Sequence, residues 1–287
     1  MELRVTQFEV GDDGVAIVRF NRPGRGNSWT NRMNAEYRWI MATLNDDPAV
    51  RVIVVTGAGR QFCVGADFKA LQFYEEGDKD YQATVSATDM AKPGYGIRAD
   101  FDHDLVWHWG LRKPVIAAIN GACAGIAVAI AAFADFRFAV AGAKITPSTA
   151  RLGLPAEYGL AWVLPRIMGV ANAAHVMLTG RILRSEDAQR LGFVSEVFPE
   201  ESFMDNVLAF ARDMAAVTSP VAVAVMKRQL YVELMTGDVG GAIERSKDLI
   251  GGMMKLSDFK EGSTAMAARR PPEFAPLNPA DVDGLIR

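Results

Sequence analysis

The sequence has few of the residues that metal sites and disulfide frameworks require. Of its 287 residues, only two are cysteines and three are histidines. Cys63 and Cys123 form no CxxC pair, and no histidine stands at metal-ligand spacing from them or from another histidine. The sequence therefore predicts no metal site and two reduced cysteines that are buried as small apolar side chains.

A surplus of positive charge and long apolar runs are also absent. The 31 Lys and Arg residues are outnumbered by 34 Asp and Glu residues, so the sequence lacks the basic surplus of a nucleic-acid-binding protein. No apolar run reaches the roughly 18 residues of a membrane span. The first residues, MELRVTQFEV, do not resemble an export signal. We therefore expect a cytoplasmic protein with no nucleic-acid partner and no membrane span.

Short apolar segments alternate with amphipathic ones over the first 200 residues. Segments 14–20, 51–57, 113–120 and 136–142 have the apolar, β-branched character of buried strands, and NSWTNRMNAEYRWIMATLNDD has helical periodicity. Half of all residues are hydrophobic, which is enough for a substantial core. This alternation predicts an α/β fold whose strands are mostly parallel.

The pattern becomes helical after residue 200. Pro220 begins one helical segment, and a last helix is predicted from Gly241 to about Arg269. We therefore expect an α/β core over residues 1–200, carrying the functional site, and a helical region over residues 201–287.

Three glycine-containing turns follow predicted strands. The first, TGAGRQF (56–62), has Phe62 where a dinucleotide-binding loop needs its third glycine, so a nucleotide-dependent oxidoreductase is only a remote alternative. The other two, FCVGADFKAL (62–71) and NGACAGIAVAI (120–130), each precede apolar helical sequence. Turns of this kind present backbone N–H groups to a ligand.

These two turns, with other motifs, resemble the crotonase superfamily, the family of enoyl-CoA hydratases and isomerases. The supporting motifs occur in the family's order over nearly the whole chain: NRPGRGNSWT, KPVIAAINGACAG, LGLPAEYGLAWVLPRIMG, LTGRILRSEDAQRLGFVSEVF and SDFKEGSTAMAARRPPEF. The resemblance implies a crotonase-like spiral of ββα units with a C-terminal helical region for trimerisation or as a lid. It also implies a homotrimer, or a hexamer built as a dimer of trimers.

The resemblance further implies an acyl-CoA thioester as substrate. Coenzyme A is then part of the substrate, so we expect no separate cofactor. Two backbone N–H groups of this family stabilise the thioester enolate, and the motifs place them on Ala66 and Ile126. Most relatives have glycine at the position of Ile126. Because isoleucine restricts the backbone, the turn either has an ordinary φ or forms a slightly reshaped oxyanion hole.

The same resemblance implies contacts with the rest of coenzyme A. It predicts a row of residues along the path of the pantetheine arm and the adenine: Ala66, Asp67, Phe68 and Lys69. Arg25 and Lys227 are the expected partners of the CoA phosphates, because a basic group suits an exposed phosphate. The alternative for these two is a solvated surface charge, and the alternative for Asp67 is stabilisation of its own turn.

This sequence differs most from the family at the positions of the family's acidic residues. Hydratases of the family use two glutamates, and the corresponding residues here are Ala129 and Thr149, which cannot transfer a proton. Isomerases of the family need one carboxylate, and Glu157 matches it within LGLPAEYGLAWVLP. Its apolar neighbours would desolvate a carboxylate in the way a general base requires. The alternative for Glu157 is a cap on the following helix.

The function predicted from these residues is double-bond isomerisation of an enoyl-CoA, with Glu157 as the proton shuttle. One alternative stays within the family, namely hydration or hydrolysis by Glu157 and a water molecule. Another is a non-catalytic acyl-CoA-binding protein that has lost the acids.

Overall fold

In the computed structural model, which describes residues 1–67 and 90–285, the chain folds around a six-stranded sheet of order β1-β2-β3-β4-β6-β9. The strands are β1 (Thr6–Val10), β2 (Val15–Phe20), β3 (Val52–Gly57), β4 (Val115–Ile119), β5 (Cys123–Ala124), β6 (Phe136–Val140), β7 (Lys144–Thr146), β8 (Leu183–Arg184) and β9 (Glu196–Phe198). Strand β1 is antiparallel to β2, and the other neighbours in this sheet are parallel. The four strands predicted from sequence are confirmed. The small second sheet, β5-β7-β8, was not predicted, because its strands are only two or three residues long.

Helices cover both faces of the large sheet. Those of the described residues are α1 (Asn31–Asp46), α2 (Ile126–Phe133), α3 (Leu160–Met168), α4 (Val170–Thr179), α5 (Ser185–Arg190), α6 (Phe203–Val217), α7 (Pro220–Met235), α8 (Val239–Met253), α9 (Ser257–Ala268) and α10 (Pro279–Asp283). Side chains alternate along each strand. Ile53 and Val55 belong to the main core together with α1 and α2, while Val52 and Val54 belong to a second core with α6. This burial on both faces is typical of parallel sheets.

After β9 the regular secondary structure of the described chain is helical. Helix α6 packs directly on the sheet, whereas α7 contributes to a third apolar cluster that includes Leu277 and Val282. The single helix predicted from Gly241 to about Arg269 is wrong, since α8 ends at Met253 and α9 begins at Ser257. Glycines at 251 and 252 weaken the helix at this point, because glycine loses the most backbone entropy in a helix.

The described helices were compared with the length and composition of a membrane span. No single one of them combines the length and the apolar character needed to cross a membrane. Two segments, Glu200–Val217 and Pro220–Met235, meet those criteria only when taken together, and they are bent by 110°.

A buried histidine joins α1 to the 3-10 turn Val106–Gly110. The His108 Nδ1 lies 2.6 Å from the Leu105 carbonyl oxygen, and its Nε2 lies 2.7 Å from the Tyr37 hydroxyl. A carbonyl only accepts hydrogen bonds, so Nδ1 carries the proton and Nε2 accepts from Tyr37. The ring also stacks on Trp107 with centroids 3.9 Å apart. Burial lowers the pKa of His108 to about 3, so this histidine is neutral and structural.

Acid should therefore destabilise the protein through His108. The folded-state pKa lies below the ordinary value, so the unfolded chain binds more protons between these two pKa values, and stability falls as the pH drops through that window. From neutral pH to about pH 5, we expect His108 alone to lower the free energy of unfolding by about 2 kcal/mol. Urea unfolding at both pH values measures this loss. The variant His108→Gln, whose amide does not titrate, should show a flatter pH dependence, and an equal slope in both proteins would contradict the assignment.

Candidate active site

A short backbone bridge holds the two glycine turns side by side. Cys63 and Cys123 are parallel bridge partners, and the Cys63 amide and carbonyl bond backbone groups flanking Cys123, both at 3.0 Å. Because the two segments run parallel, they leave the bridge in the same direction, and the third residues along are Ala66 and Ile126. Both cysteines are free and buried, as predicted, and burial raises the pKa of the Cys63 thiol to about 12.

A glycine with positive φ precedes each expected donor. Gly65 has φ +97°, and a Cβ added to it would lie 3.2 Å from the Ala124 carbonyl oxygen. Gly125 has φ +56° and ψ −123°, a region that side chains rarely allow. A Cβ on Gly125 would lie 3.7 Å from the Cα of Gly65, so the two turns are in direct contact. Gly65 is favoured by its positive φ and by the close approach of the two turns, whereas Gly125 is favoured by its backbone conformation.

The Ala66 N–H is flanked along the chain by two backbone groups that are already hydrogen-bonded, the Gly65 carbonyl and the Asp67 N–H. Trp29 is its bridge partner on the adjacent segment: the Trp29 N–H donates to the Gly65 carbonyl at 2.7 Å, and the Asp67 N–H donates to the Trp29 carbonyl at 3.2 Å. Within the described residues, the N–H of Ala66 itself has no acceptor. Ala66 is an exposed residue, as a ligand-binding donor requires.

The Ile126 amide is the first N–H of α2. Its N-cap, Gly125, has no side chain to accept from the helix, and in the described part of the chain the Ile126 N–H has no acceptor. The positive end of the helix dipole adds to the attraction of this group for negative charge. Ile126 is not among the residues with positive φ. Of the two possibilities left open by the sequence, the ordinary φ is therefore correct, and Gly125 takes the unusual conformation.

Glu157 lies in the strained turn that leads into α3. It is half-buried, and in residues 1–67 and 90–285 its carboxylate has no hydrogen-bond or ion-pair partner. The cap of α3 is Gly159 and involves no side chain, so the capping role considered for Glu157 is wrong. The next residue, Tyr158, has φ +48°, a conformation that non-glycine residues avoid and that clusters at functional sites.

The turn of Glu157 adjoins the end of α2. A Cβ on Gly159 would lie 3.4 Å from the Phe133 ring, and Phe133 is the last residue of α2. The two positions at which family hydratases carry glutamate are both buried: Ala129 lies inside α2 and Thr149 begins the 3-10 turn Thr149–Leu152. Of the three positions that the sequence singled out, Glu157 is the one that holds a carboxylate, and its turn contacts the end of α2 through Gly159.

Comparison with known proteins identifies the family. Residues 11–276 match the family model described as enoyl-CoA hydratase/isomerase. The chain belongs to the enoyl-CoA hydratase/isomerase family. The resemblance to the crotonase superfamily is thus confirmed, and the protein belongs to a family of enzymes.

Relatives within the family carry both activity names. The chain is 32% identical to the 1,2-epoxyphenylacetyl-CoA isomerase of Escherichia coli K12, over 92% of this chain and 95% of that protein. It is also 32% identical to a probable enoyl-CoA hydratase of Mycobacterium tuberculosis, over 91% of this chain and 89% of that protein. A crystal structure of a probable enoyl-CoA hydratase/isomerase from Mycobacterium abscessus superposes with a TM-score of 0.81 at 31% identity, covering 95% and 99% of the two chains. The predicted crotonase-type α/β fold is confirmed.

Asp67, expected along the CoA path, has its carboxylate turned inward. Its Oδ2 accepts a hydrogen bond from Arg22 Nη2 at 3.0 Å and one from the Ser28 hydroxyl at 3.1 Å. Arg22 also donates to the Ser28 carbonyl at 2.7 Å. These contacts agree with the alternative role, stabilisation of the turn that presents the Ala66 N–H. Arg22 was not predicted as a site residue, although it stands in the NRPGRGNS motif.

Phe68, Lys69 and Arg25 were also predicted to contact coenzyme A. Phe68 and Lys69 lie outside the described residues. Arg25 is exposed at the end of a 3-10 turn, and the next residue, Gly26, accepts a hydrogen bond from the Val64 N–H at 3.1 Å. Arg25 is therefore at the surface beside the Ala66 turn, and its contact with a CoA phosphate stays a prediction.

The prediction that Lys227 meets a CoA phosphate does not agree with this structure. Lys227 is only 6% exposed, and its Nζ donates to Asp135 Oδ2 at 2.7 Å and to the Lys113 carbonyl at 2.9 Å. Tyr231 donates to the other oxygen of Asp135 at 2.8 Å. Burial lowers the pKa of Lys227, and the Asp135 carboxylate opposes that shift. The ammonium is used to attach α7 to the core.

Lys227 and Arg25 should therefore respond differently to the same substitution. Lys227→Met leaves Asp135 without its cation, so we expect the free energy of unfolding to fall by about 3–5 kcal/mol while the folded protein keeps its affinity for coenzyme A. Arg25→Met should weaken coenzyme A binding and change stability by less than about 0.5 kcal/mol. Urea unfolding and calorimetric titration measure the two quantities. Weaker coenzyme A binding by Lys227→Met at unchanged stability would restore the phosphate-binding role.

Proposed function

We propose that this protein isomerises the double bond of an enoyl-CoA thioester. Ala66 and Ile126 hold the thioester oxygen with their backbone N–H groups, and Glu157 transfers the proton. The main support for this proposal is the set of chemical groups that the structure brings together at the site. Two unpaired backbone donors leave one bridge in the same direction, and an unpaired half-buried carboxylate lies in the neighbouring turn, while the two hydratase positions hold Ala129 and Thr149.

The backbone donors stabilise the charge that develops during the reaction. When the acyl chain loses a proton next to the thioester, negative charge moves onto the carbonyl oxygen. Two N–H groups that are already oriented stabilise this enolate more than the neutral thioester, which lowers the barrier. A donor of this kind is worth about 2.7–4 kcal/mol of transition-state stabilisation in other enzymes.

Glu157 supplies both proton-transfer steps. As a carboxylate it takes a proton from C2 of a 3-enoyl-CoA, breaking the C2–H bond and forming a conjugated enolate. The resulting carboxylic acid then returns the proton to C4, which moves the double bond between C2 and C3. One group serves as base and then as acid, so no second carboxylate and no water molecule are needed.

Hydration is the competing reaction to be tested. Relatives with hydratase and isomerase names are equally similar to this chain, and Glu157 with a water molecule is a chemically reasonable alternative. The two activities differ in their products from matched substrates. A 3-enoyl-CoA yields the conjugated 2-enoyl-CoA by isomerisation, whereas a 2-enoyl-CoA yields a 3-hydroxyacyl-CoA by hydration.

Replacement of Glu157 by glutamine should remove the proton shuttle and keep the shape of the site. We expect kcat for a 3-enoyl-CoA to fall by at least about 100-fold, with the Kd of a saturated acyl-CoA changed less than about threefold. Appearance of the conjugated thioester, followed by its ultraviolet absorbance, measures kcat. Turnover that survives in Glu157→Gln would remove Glu157 from the mechanism. Acyl-CoA binding without turnover of any thioester in the unmodified protein would instead support the non-catalytic alternative.

Replacement of Gly125 by alanine should misplace the Ile126 N–H. Gly125 has a conformation that alanine rarely adopts, so the turn must shift, and we expect kcat to fall by about 100-fold. The matched control is Ile126→Ala, which shortens the side chain but keeps the N–H and the helical backbone. This control should retain kcat within about tenfold. A larger loss in Ile126→Ala than in Gly125→Ala would show that the side chain, rather than the N–H, matters.

A further inference from the structure

A cavity of about 440 Å³ lies at the C-terminal end of α2. Its apolar wall comes from four separate segments and includes these side chains: Val106, Trp109, Phe133, Trp162 and Met235. The aromatic rings are packed against one another, with Trp109 5.1 Å from Phe133 and 5.7 Å from Trp162 between ring centroids. The size and the lining are those of a small-molecule pocket.

The cavity adjoins the residues assigned to the reaction. Helix α2 begins at Ile126 and ends at Phe133, so its eight residues separate the donor N–H from the cavity by about 10 Å. Gly159, which also lines the cavity, follows Glu157 by two residues. An acyl group whose thioester is held at Ile126 has to extend about 10 Å along α2 to place its far end in the cavity.

An exposed arginine, Arg166, is one of the charged residues that line this cavity in the described part of the chain. Arg98, Asp100 and Arg166 are its charged lining residues. The Arg98 Nε donates to Asp100 Oδ2 at 2.6 Å, so these two charges neutralise each other. Arg166 has no carboxylate partner among the described residues, and its remaining polar contact is a hydrogen bond from Nη1 to the Trp162 carbonyl at 2.9 Å.

The Arg166 guanidinium is held in place by an aromatic ring. Its Cζ lies 3.6 Å from the centroid of the Trp162 ring, a cation–π contact that fixes the plane of the guanidinium against the cavity wall. Several of its N–H groups stay available, and a planar guanidinium matches a carboxylate with two parallel hydrogen bonds. A purely apolar acyl end would cover this cation without offering it a partner, which is unfavourable.

We propose that the cavity binds the far end of an acyl group that terminates in a carboxylate, and that Arg166 recognises this carboxylate. The inference rests on the proposed function, because it assumes that an acyl-CoA thioester occupies the site. It adds the substrate class, the CoA monothioester of a dicarboxylic acid. Arg166 is then a specificity-determining residue and takes no part in the proton transfer.

The experiment compares two saturated CoA thioesters of equal chain length, one ending in a carboxylate and the other in the methyl ester of that carboxylate. Calorimetric titration of the full-length protein gives both Kd values without requiring turnover. We expect the carboxylate-ended thioester to bind about tenfold more tightly. Arg166→Met should abolish this preference by weakening only the carboxylate-ended ligand, and Arg166→Lys should keep part of it. The control Arg190→Met, which removes an exposed arginine on α5, should leave the preference unchanged.

The outcomes separate this inference from the proposed function. Equal Kd values for the two thioesters in the unmodified protein, or a preference that survives in Arg166→Met, would overturn the recognition by Arg166 and leave the proposed function intact. Failure of both thioesters to bind would overturn the proposed function and this inference with it. Loss of the preference in Arg190→Met as well as in Arg166→Met would show a long-range effect of net charge and would overturn the direct contact.

Discussion

The backbone bridge between Cys63 and Cys123 is the contact on which the candidate active site depends. It joins two turns that are about 60 residues apart in the chain and makes them parallel. The direction matters because the expected donors, Ala66 and Ile126, follow their cysteines at equal distance. In an antiparallel bridge the two segments would leave in opposite directions, and the two N–H groups would lie on opposite sides of the bridge. The absence of a side chain at Gly65 then lets this turn approach the Ala124 carbonyl closely.

Support for each donor comes from a different source. The Ala66 turn is held by hydrogen bonds to the Trp29 backbone and by the inward contacts of Asp67 with Arg22 and Ser28. The Ile126 N–H needs no such partner, because the helix that it begins fixes its direction and adds a favourable dipole. A backbone donor does not depend on its own side chain, so isoleucine at position 126 is compatible with the expected role.

Charged residues were the hardest part of the site to predict. Asp67 stands in a family motif and Lys227 is a basic residue of a helical segment, and both were natural candidates for contacts with coenzyme A. The fold instead buries both of them with opposite charges, Asp135 and Arg22. A buried charge needs a nearby partner, and the partners here lie 92 and 45 residues away in the chain. The sequence spacing within these two pairs does not indicate that the residues pair, so the burial of Lys227 and Asp67 could not be predicted.

The sequence by itself determined the class of fold, the four main strands, the family and the positions at which glutamates are missing. These four features follow from local patterns, because strand periodicity, glycine turns and sequence motifs each depend on residues that are close together in the chain. Only the tertiary structure decided that Gly125 rather than Ile126 has the unusual backbone, that α8 and α9 are separate, and that Lys227 is buried. It alone assembled the cavity beside Phe133, whose lining comes from segments far apart in the chain. Contacts between distant segments depend on how the whole chain packs, and no local pattern specifies them.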